Sequence, residues 1–372
     1  AEHPAPGRLK CALETAVMAS ALRVSAPRPL PGVNSAEHRG RFALGLLLHR
    51  IQRVKLATTT VDFRGYSDRP GNLIRFFEGT GFRFLDLSFY DTIYTDSPFL
   101  DDRWEGWVAD AGEAAAALGF RFCQAHSPSG NLHGAGGEFD VFVRATLRSV
   151  EACGRLHIPQ IVVHAQDIGG FPSRENRRLN LRRNGEFIAR LLPVMERTGV
   201  SVLIENSCDR HAPTRAQNIR NVPSTAGELL ELIEHVGHPL VHACWDTGHA
   251  NVQGVDQYQS IVELGPRLKG VHVADNYGDM DSHVAPCQGT TNLDSVMQGL
   301  LDAGYQGFFS FEAGNILRNG GVWPNYRREW EYRGVKVARL MNVPLELRRQ
   351  AVALLYQIGK HMLTEYGCFE EG

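Results

Sequence analysis

Four short apolar runs in the second half of the chain each stop on a residue that can ligate a metal or carry a proton. They are Val202-Leu203-Ile204-Glu205-Asn206, Ala243-Cys244-Trp245-Asp246-Thr247-Gly248-His249, Gly270-Val271-His272-Val273-Ala274-Asp275 and Phe308-Phe309-Ser310-Phe311-Glu312. Continuous β-branched or aromatic runs of this length mark parallel strands buried on both faces, because helices cover such a sheet on each side. A titratable residue at the carboxyl end of such a strand points into the crevice where α/β folds place ligands. Carboxylates of both types with a histidine form a donor set suited to hard-to-borderline divalent cations.

The same rhythm extends upstream. Strand candidates begin near Val54, Phe82, Phe120, Gln160, Val200, Leu240, Leu268 and Gly307, roughly 28 to 40 residues apart, with helical stretches between them. The expected helices cover Asn72 to Gly79, Phe139 to Cys153, Glu186 to Thr198, a start at Ser224 one residue too long for a capping box, and Asn292 to Leu301. Eight strands alternating with helices predict a single (β/α)8 barrel of the α/β class. An open doubly wound sheet would carry a Gly-rich first turn, and Thr58-Thr59-Thr60-Val61-Asp62 has none.

The barrel domain is expected over 54–372, with Leu345 to Tyr366 as a long amphipathic helix that is either the eighth barrel helix after an insertion or an oligomer interface. Trp323 to Arg328 reads as a loop. Residues 1–53, rich in Ala, Arg, Pro and Leu, read as an N-terminal extension: a transit peptide, a disordered arm, or sequence ahead of the native start.

Composition narrows the function. A formal net charge of −2 leaves no electrostatic footprint for nucleic acid. No apolar run approaches the ~20 residues that span a bilayer. The 7 cysteines include no C-x-x-C pair and read as reduced thiols of a cytoplasmic protein.

Each strand-end residue has a purely structural alternative. Glu205 and Glu312 could be salt-bridged, Asn206 could hold a loop or a substrate hydroxyl, Asp246 could cap a helix with His249 incidental, and His272 could be a satisfied core histidine. For all four strand ends to be structural at corresponding positions is improbable, so together they predict a site.

These motifs resemble the xylose isomerase-like sugar phosphate isomerase/epimerase superfamily, which includes tagatose and psicose epimerases and endonuclease IV-type enzymes. The matching residues are I-E-N at Ile204 to Asn206, D-T-G-H at Asp246 to His249, H-V-x-D at His272 to Asp275, D-x-H at Asp281 and His283, and F-x-F-E at Phe309 to Glu312. The loop Pro286-Cys287-Gln288-Gly289 departs from the more usual P-G-x-G.

The resemblance implies a divalent metal, Mn²⁺ first with Co²⁺, Mg²⁺ or Zn²⁺ as alternatives, held by Glu205, Asp246, His272 and Glu312. Glu205 and Glu312 would also move the proton through a metal-stabilised enediolate of a sugar or polyol-ketone. His249, His126, His164, Asn206, Asp281 and His283 would face the substrate. Because His126 and His164 end strands three and four, the set also fills the positions that bind three zinc ions in the endonuclease relatives. The alternatives are therefore a zinc phosphodiesterase acting on abasic DNA, or a metal-dependent lyase or deglycosylating subunit.

Few lysines accompany the barrel-top residues Phe63, Tyr66, Tyr90, Asp91, Tyr94, Trp104, Asn276 and Tyr277, which favours a carbohydrate over DNA. The basic run Arg174, Arg177, Arg178, Arg182 and Arg183 reads as a solvated helix face. A homo-oligomer is compatible with all of this.

Overall fold

The computed structural model describes residues 53–372, apart from 95, 131–136, 167–173, 209, 212–217, 220, 318–329 and 339. The N-terminal extension, Cys11 and the loop from Trp323 to Arg328 lie outside the described residues.

Eight parallel strands close into a barrel: β1 Lys55–Thr59, β2 Phe84–Ser88, β3 Arg121–His126, β4 Gln160–His164, β5 Ser201–Glu205, β6 Val241–Asp246, β7 Leu268–Val273 and β8 Phe308–Phe311. Each pairs with its sequence neighbours, and β1 closes the ring against β8 through Lys55 opposite Phe308 to Thr58 opposite Phe311. The helices are α1 Pro70–Arg75, α2 Trp104–Leu118, α3 Glu138–Arg155, α4 Arg174–Thr198, α5 Ala226–Val236, α6 Thr247–Gln253, α7 Gln257–Leu264, α8 Leu293–Asp302 and α9 Leu345–Glu365.

Side chains alternate across each strand with a period of two. The outward set, such as Val202, Ile204, Val271, Val273, Phe309 and Phe311, joins the large apolar cluster under the helices. The inward set fills the lumen: Ala57, Phe84 and Cys123 with Phe308 in one group, and Val162, Leu203 and Cys244 in another. Gly270 is required here, because a Cβ on it would come within 2.6 Å of Leu203 Cδ1. The next inward position on β4, β5, β6 and β7 is His164, Glu205, Asp246 and His272, so the packed lumen ends where the titratable residues begin.

Two helix starts differ from the sequence expectation. The cap of α5 is Thr225, whose hydroxyl accepts from the Glu228 amide, while Glu228 reaches back to the amide of Ser224 at 2.9 Å. Starting one residue later restores the capping-box spacing. The helix expected from Glu186 begins at Arg174. Its first half hides polar rather than apolar residues, Asn180 and Asn184, and so shows no hydrophobic period. Asn184 clamps the loop after β4 by accepting from the Gln166 amide and donating to its carbonyl, both at 2.8 Å. On the outer face of α4, Arg177, Arg178, Arg182 and Arg183 are exposed, and Arg177 pairs with Glu231.

α9 is the eighth barrel helix. It buries Ala351, Val352, Leu355, Met362 and Leu363, and Gly359 lets its backbone approach β1 and β8, where a Cβ would lie 2.6 Å from Phe311 and 2.8 Å from Leu56. Near its start, the buried Arg348 holds two barrel-mouth loops. Its guanidinium donates to the Asp62 carbonyl at 2.5 Å, to Asp62 Oδ1 at 3.3 Å, and to the Ile316 carbonyl. Asp62 also accepts from the Thr58 hydroxyl at 2.6 Å. Breaking one side of a buried pair strands the other charge. Arg348→Met is therefore expected to lower unfolding stability by about 3–5 kcal/mol, read from the urea midpoint. The double variant Asp62→Asn/Arg348→Met should recover part of that loss, because no buried charge is left behind.

Candidate functional site

The strand registers place His164 beside Glu205, Asp246 beside His272, and Ser310 beside His272, which brings Glu312, one residue past β8, to the same mouth. His272 is the centre of the cluster. Its Nδ1 lies 2.7 Å from Glu205 Oε1 and 3.0 Å from Glu312 Oε2. Its Nε2 lies 3.2 Å from Asp86 Oδ2, and Gln124 Nε2 donates to the same Asp86 oxygen at 2.7 Å. These neighbours hold His272 charged, with one N–H given to Asp86 and the other to the two glutamates; loss of the Nδ1 proton would free a lone pair between the two glutamates. A carboxylate behind a ligating histidine commonly orients its ring in this way.

Asp246 does two things at once. Oδ1 accepts from the His249 amide at 2.6 Å and caps α6. Oδ2 is buried with no hydrogen-bond partner among the described residues. One donor atom from each of Glu205, Asp246, His272 and Glu312 lies within 4.8 Å of the others. A stranded carboxylate oxygen, two more carboxylates and an imidazole nitrogen gathered this closely fit a divalent cation. Metal ions are held by such mixed oxygen and nitrogen donors.

Two further groups flank it. His126 gives Nδ1–H to the Ser127 carbonyl at 2.8 Å, and its Nε2 meets His164 Nε2 at 3.0 Å, which in turn lies 2.7 Å from Glu205 Oε2. On the other side, His249 and His283 donate Nδ1–H to the carbonyls of Asn206 and Glu312, at 2.8 and 2.7 Å. Both Nε2 atoms then converge on Asp281 Oδ2, at 3.3 and 2.7 Å. The sequence-predicted residues therefore all meet at one barrel mouth. Asn206 meets them as a brace: its amide donates to the Asp246 carbonyl at 3.0 Å and accepts from the Asp246 amide at 2.7 Å.

Charges in the cluster pull against burial. Burial would raise Glu312, but the charge and hydrogen bond of His272, backed by His283 and His126, bring it down to about 2. Glu205 is likewise held well below the usual carboxylate range, as His272 and His164 outweigh its burial. Burial would lower His283, but Asp281 raises it to about 9. Asp246 goes the other way. Burial, opposed by His249 and reinforced by Glu205, Asp281 and Glu312, raises its carboxyl to about 6.

The cluster opens into a cavity of about 90 Å³ whose walls include Thr59, Arg64, Tyr90, His249, His283 and Glu312. Asp86, Gln124 and Arg64 were not singled out from the sequence. Asp86 had left a signal: a carboxylate at an inward position of the otherwise apolar run Phe84-Leu85-Asp86-Leu87. The expected ring of rim residues is only partly there. Phe63 is fully buried against Phe76 and Phe77, and Asn276 is buried, donating to the Gly248 carbonyl at 2.8 Å. Tyr90 lines the cavity, and Tyr94 and Tyr277 are exposed.

A family model described as xylose isomerase-like TIM barrel matches residues 74–326, about two thirds of the chain. The chain belongs to that family. Among solved structures, D-psicose 3-epimerase from Clostridium cellulolyticum H10 superposes with a TM-score of 0.60 at 16% identity, covering 83% of this chain and 99% of that one. The 3-keto-D-glucoside 4-epimerase of E. coli superposes with a TM-score of 0.58 at 16% identity, covering 82% and 100%. These likenesses establish the fold.

Among curated proteins, an uncharacterised protein of Methanocaldococcus jannaschii is 27% identical over 139 residues, 37% of this chain and 44% of that protein. Fructoselysine 3-epimerase of Escherichia coli O157:H7 is 27% identical over 99 residues, 27% of this chain and 36% of that protein. The chain thus matches less than half the length of these curated relatives. No described helix is long and apolar enough to cross a membrane, and the described cysteines are free thiols.

The raised Asp246 carboxyl has a testable sign. Its folded value of about 6 lies above the ordinary 3.8, so the folded, metal-free protein holds the proton more tightly than the unfolded chain. This group therefore weakens the fold progressively as pH rises between those two values, and by its full amount above them. Asn caps a helix as well as Asp. In chelator, Asp246→Asn is expected to stabilise the protein at neutral pH by about 1–3 kcal/mol, with the gain vanishing near the lower value. Urea unfolding at both pH values checks this, and a variant less stable than the parent at neutral pH would contradict it.

Proposed function

We propose that the protein is a metal-dependent sugar epimerase or isomerase in which Glu205 and Glu312 move a carbon-bound proton of a keto sugar. The observation that carries this reading is the pair of carboxylates set 2.7 and 3.0 Å from one nitrogen of His272, one of them, Glu312, lining the barrel-mouth cavity. The names of the matched proteins, which epimerise sugars at C3 or C4, agree with it.

A cation such as Mn²⁺, held by Glu205, Asp246, His272 and Glu312, would supply electrophilic stabilisation of negative charge on the substrate oxygens. The chain's own residues do the rest. When the proton beside the carbonyl is removed, its bonding pair forms a carbon–carbon double bond and the carbonyl π pair moves onto the oxygen, giving an enediolate. Returning a proton to the opposite face of the same carbon inverts it, and returning it to the neighbouring carbon isomerises the sugar. Both glutamates are ionised at neutral pH, the form a base requires. Glu205 is enclosed and steadied by His164, whereas Glu312 stands on the open side, its side chain 21% exposed, so the two can serve opposite faces. His249 and His283, locked through Nδ1 and sharing Asp281 through Nε2, line the cavity, where a substrate oxygen would have to compete with Asp281 for them.

The trinuclear-zinc phosphodiesterase draws on the two flanking donor groups, His126 with His164 and Glu205, and His249 with Asp281 and His283. The acidic character of the adjoining loops, with Asp68, Asp91 and Asp96, is poorly suited to a phosphate backbone.

The test is uptake of solvent deuterium into a panel of ketoses with Mn²⁺ present. Glu205→Gln and Glu312→Gln should each reduce uptake by at least about a hundredfold, the scale of a lost general acid or base, with circular dichroism unchanged. Substantial uptake by either variant would sink the assignment. Elemental analysis separates the alternatives: one metal per chain accords with the epimerase, and three zincs with cleavage of abasic DNA would replace it. With one metal, His126→Ala should cost far less activity than either glutamate change.

A further inference from the structure

Two buried side chains hold the back of the His272 ring. Asp86 Oδ2 lies 3.2 Å from His272 Nε2, and the Gln124 amide nitrogen lies 2.7 Å from that same oxygen and 3.0 Å from His272 Nε2. All three residues are 1% exposed. Neither Asp86 nor Gln124 belongs to the walls of the barrel-mouth cavity.

A slip in the sheet brings the two together. β2 and β3 pair Phe84 with Arg121 and Leu85 with Phe122, and the register then shifts so that Asp86 stands opposite Gln124. Without the extra residue on β3, Asp86 would face Cys123 instead. Irregularities of this kind re-aim side chains beside active sites. Gly270 leaves room for the amide, since a Cβ there would come within 3.2 Å of Gln124 Oε1. The same Oε1 is reached by the Gln160 amide at 3.4 Å, which also donates to the Lys269 carbonyl at 3.2 Å.

As a stabilising element Asp86 is a poor choice. Its Oδ1 is buried with no hydrogen-bond partner, and His272 is its one ionic partner among the described residues. A buried carboxylate oxygen left uncompensated costs free energy, so its placement points to a use at the ring it faces. The pair selects one state of that ring. A metal taken at Nδ1 requires the remaining ring proton on Nε2, and Asp86 accepts the hydrogen bond from it. Asp86 also turns the Gln124 amide, whose NH2 points at the carboxylate. With Asp86 removed, that NH2 is free to donate to Nε2, 3.0 Å away. The ring proton would then sit on Nδ1, in the way of a cation.

We propose that Asp86 and Gln124 are positioning residues that fix His272 with Nδ1 available to a metal, and that they set how tightly the site holds it. This inference rests on the metal-dependent reading above, but it concerns metal affinity and needs no sugar.

The experiment is calorimetric titration of the full chain with Mn²⁺, and in parallel with Zn²⁺. It compares the parent, Asp86→Ala, Asp86→Asn and the double variant Asp86→Ala/Gln124→Glu. Asp86→Ala is expected to weaken binding by about 10- to 100-fold, the scale of losing the partner behind a ligating histidine. Asp86→Asn keeps an acceptor for Nε2–H but gives up the charge, and should fall between the parent and Asp86→Ala. The double variant returns a carboxylate to the back of the ring from β3, and should recover most of the loss. A merely structural role predicts no recovery, because moving the carboxylate between strands restores no packing. Equal affinity in the parent and Asp86→Ala would overturn the inference and leave the metal-dependent epimerase standing. Loss without recovery in a folded double variant also overturns it. If the parent binds neither ion, the metal-dependent reading falls and this inference with it. Urea midpoints in chelator show which variants fold. Should an alanine variant fail to fold, Asp86→Asn decides: weaker binding than the parent supports the inference, and equal affinity overturns it.

Discussion

Negative charge brought together out of water governs the barrel mouth. Glu205, Asp246 and Glu312 converge there with His272 between two of them, and Asp246 Oδ2 meets no protein donor among the described residues. Burying an unpaired carboxylate is expensive unless it is protonated, paired or bound to a cation. The site answers in different ways at different atoms. Glu205 and Glu312 are held ionised by histidines, while Asp246 is driven toward its protonated form. Such an uneven compromise fits a donor set able to accept a cation.

The scaffold gives that set its precision through the backbone. Period-two alternation in a closed parallel barrel leaves a single inward position at each strand end, and the registers align His164 with Glu205 and Asp246 with His272. Below them, Leu203, Cys244 and Val162 pack the lumen, with Gly270 leaving the room they need. Around them, polar side chains act on backbone rather than on substrate. Asn206 joins the end of β5 to the end of β6, Asn184 clamps the loop after β4, and Arg348 ties the loops after β1 and β8 to the last helix. Rigid supports of this kind keep the converging side-chain atoms in place.

The mouth is also divided by charge. The barrel-mouth cavity mixes His164, His249 and His283 with Asp281 and Glu312, while the neighbouring groove is lined by aspartates, with Arg64 shared between them.

Much was legible in the sequence because it depended on local pattern. Eight apolar runs at a regular spacing specify strands and helices in alternation, and the observed strands begin within two residues of the expected starts. Residues ending those runs were visible as site candidates because a titratable group interrupting an apolar strand is costly wherever it lands. Residues whose roles depend on distant partners were not legible. Asp86 matters because it sits behind His272, 186 positions away in the chain, and Arg348 because it reaches Asp62 across 286. The buried polar face of α4 concealed its first half, and Phe63 lies in the core although its place in a loop suggested the rim. Sequence period determined the elements and which positions face inward. The closure of the barrel decided which of those positions meet, because only closure brings the first strands against the last.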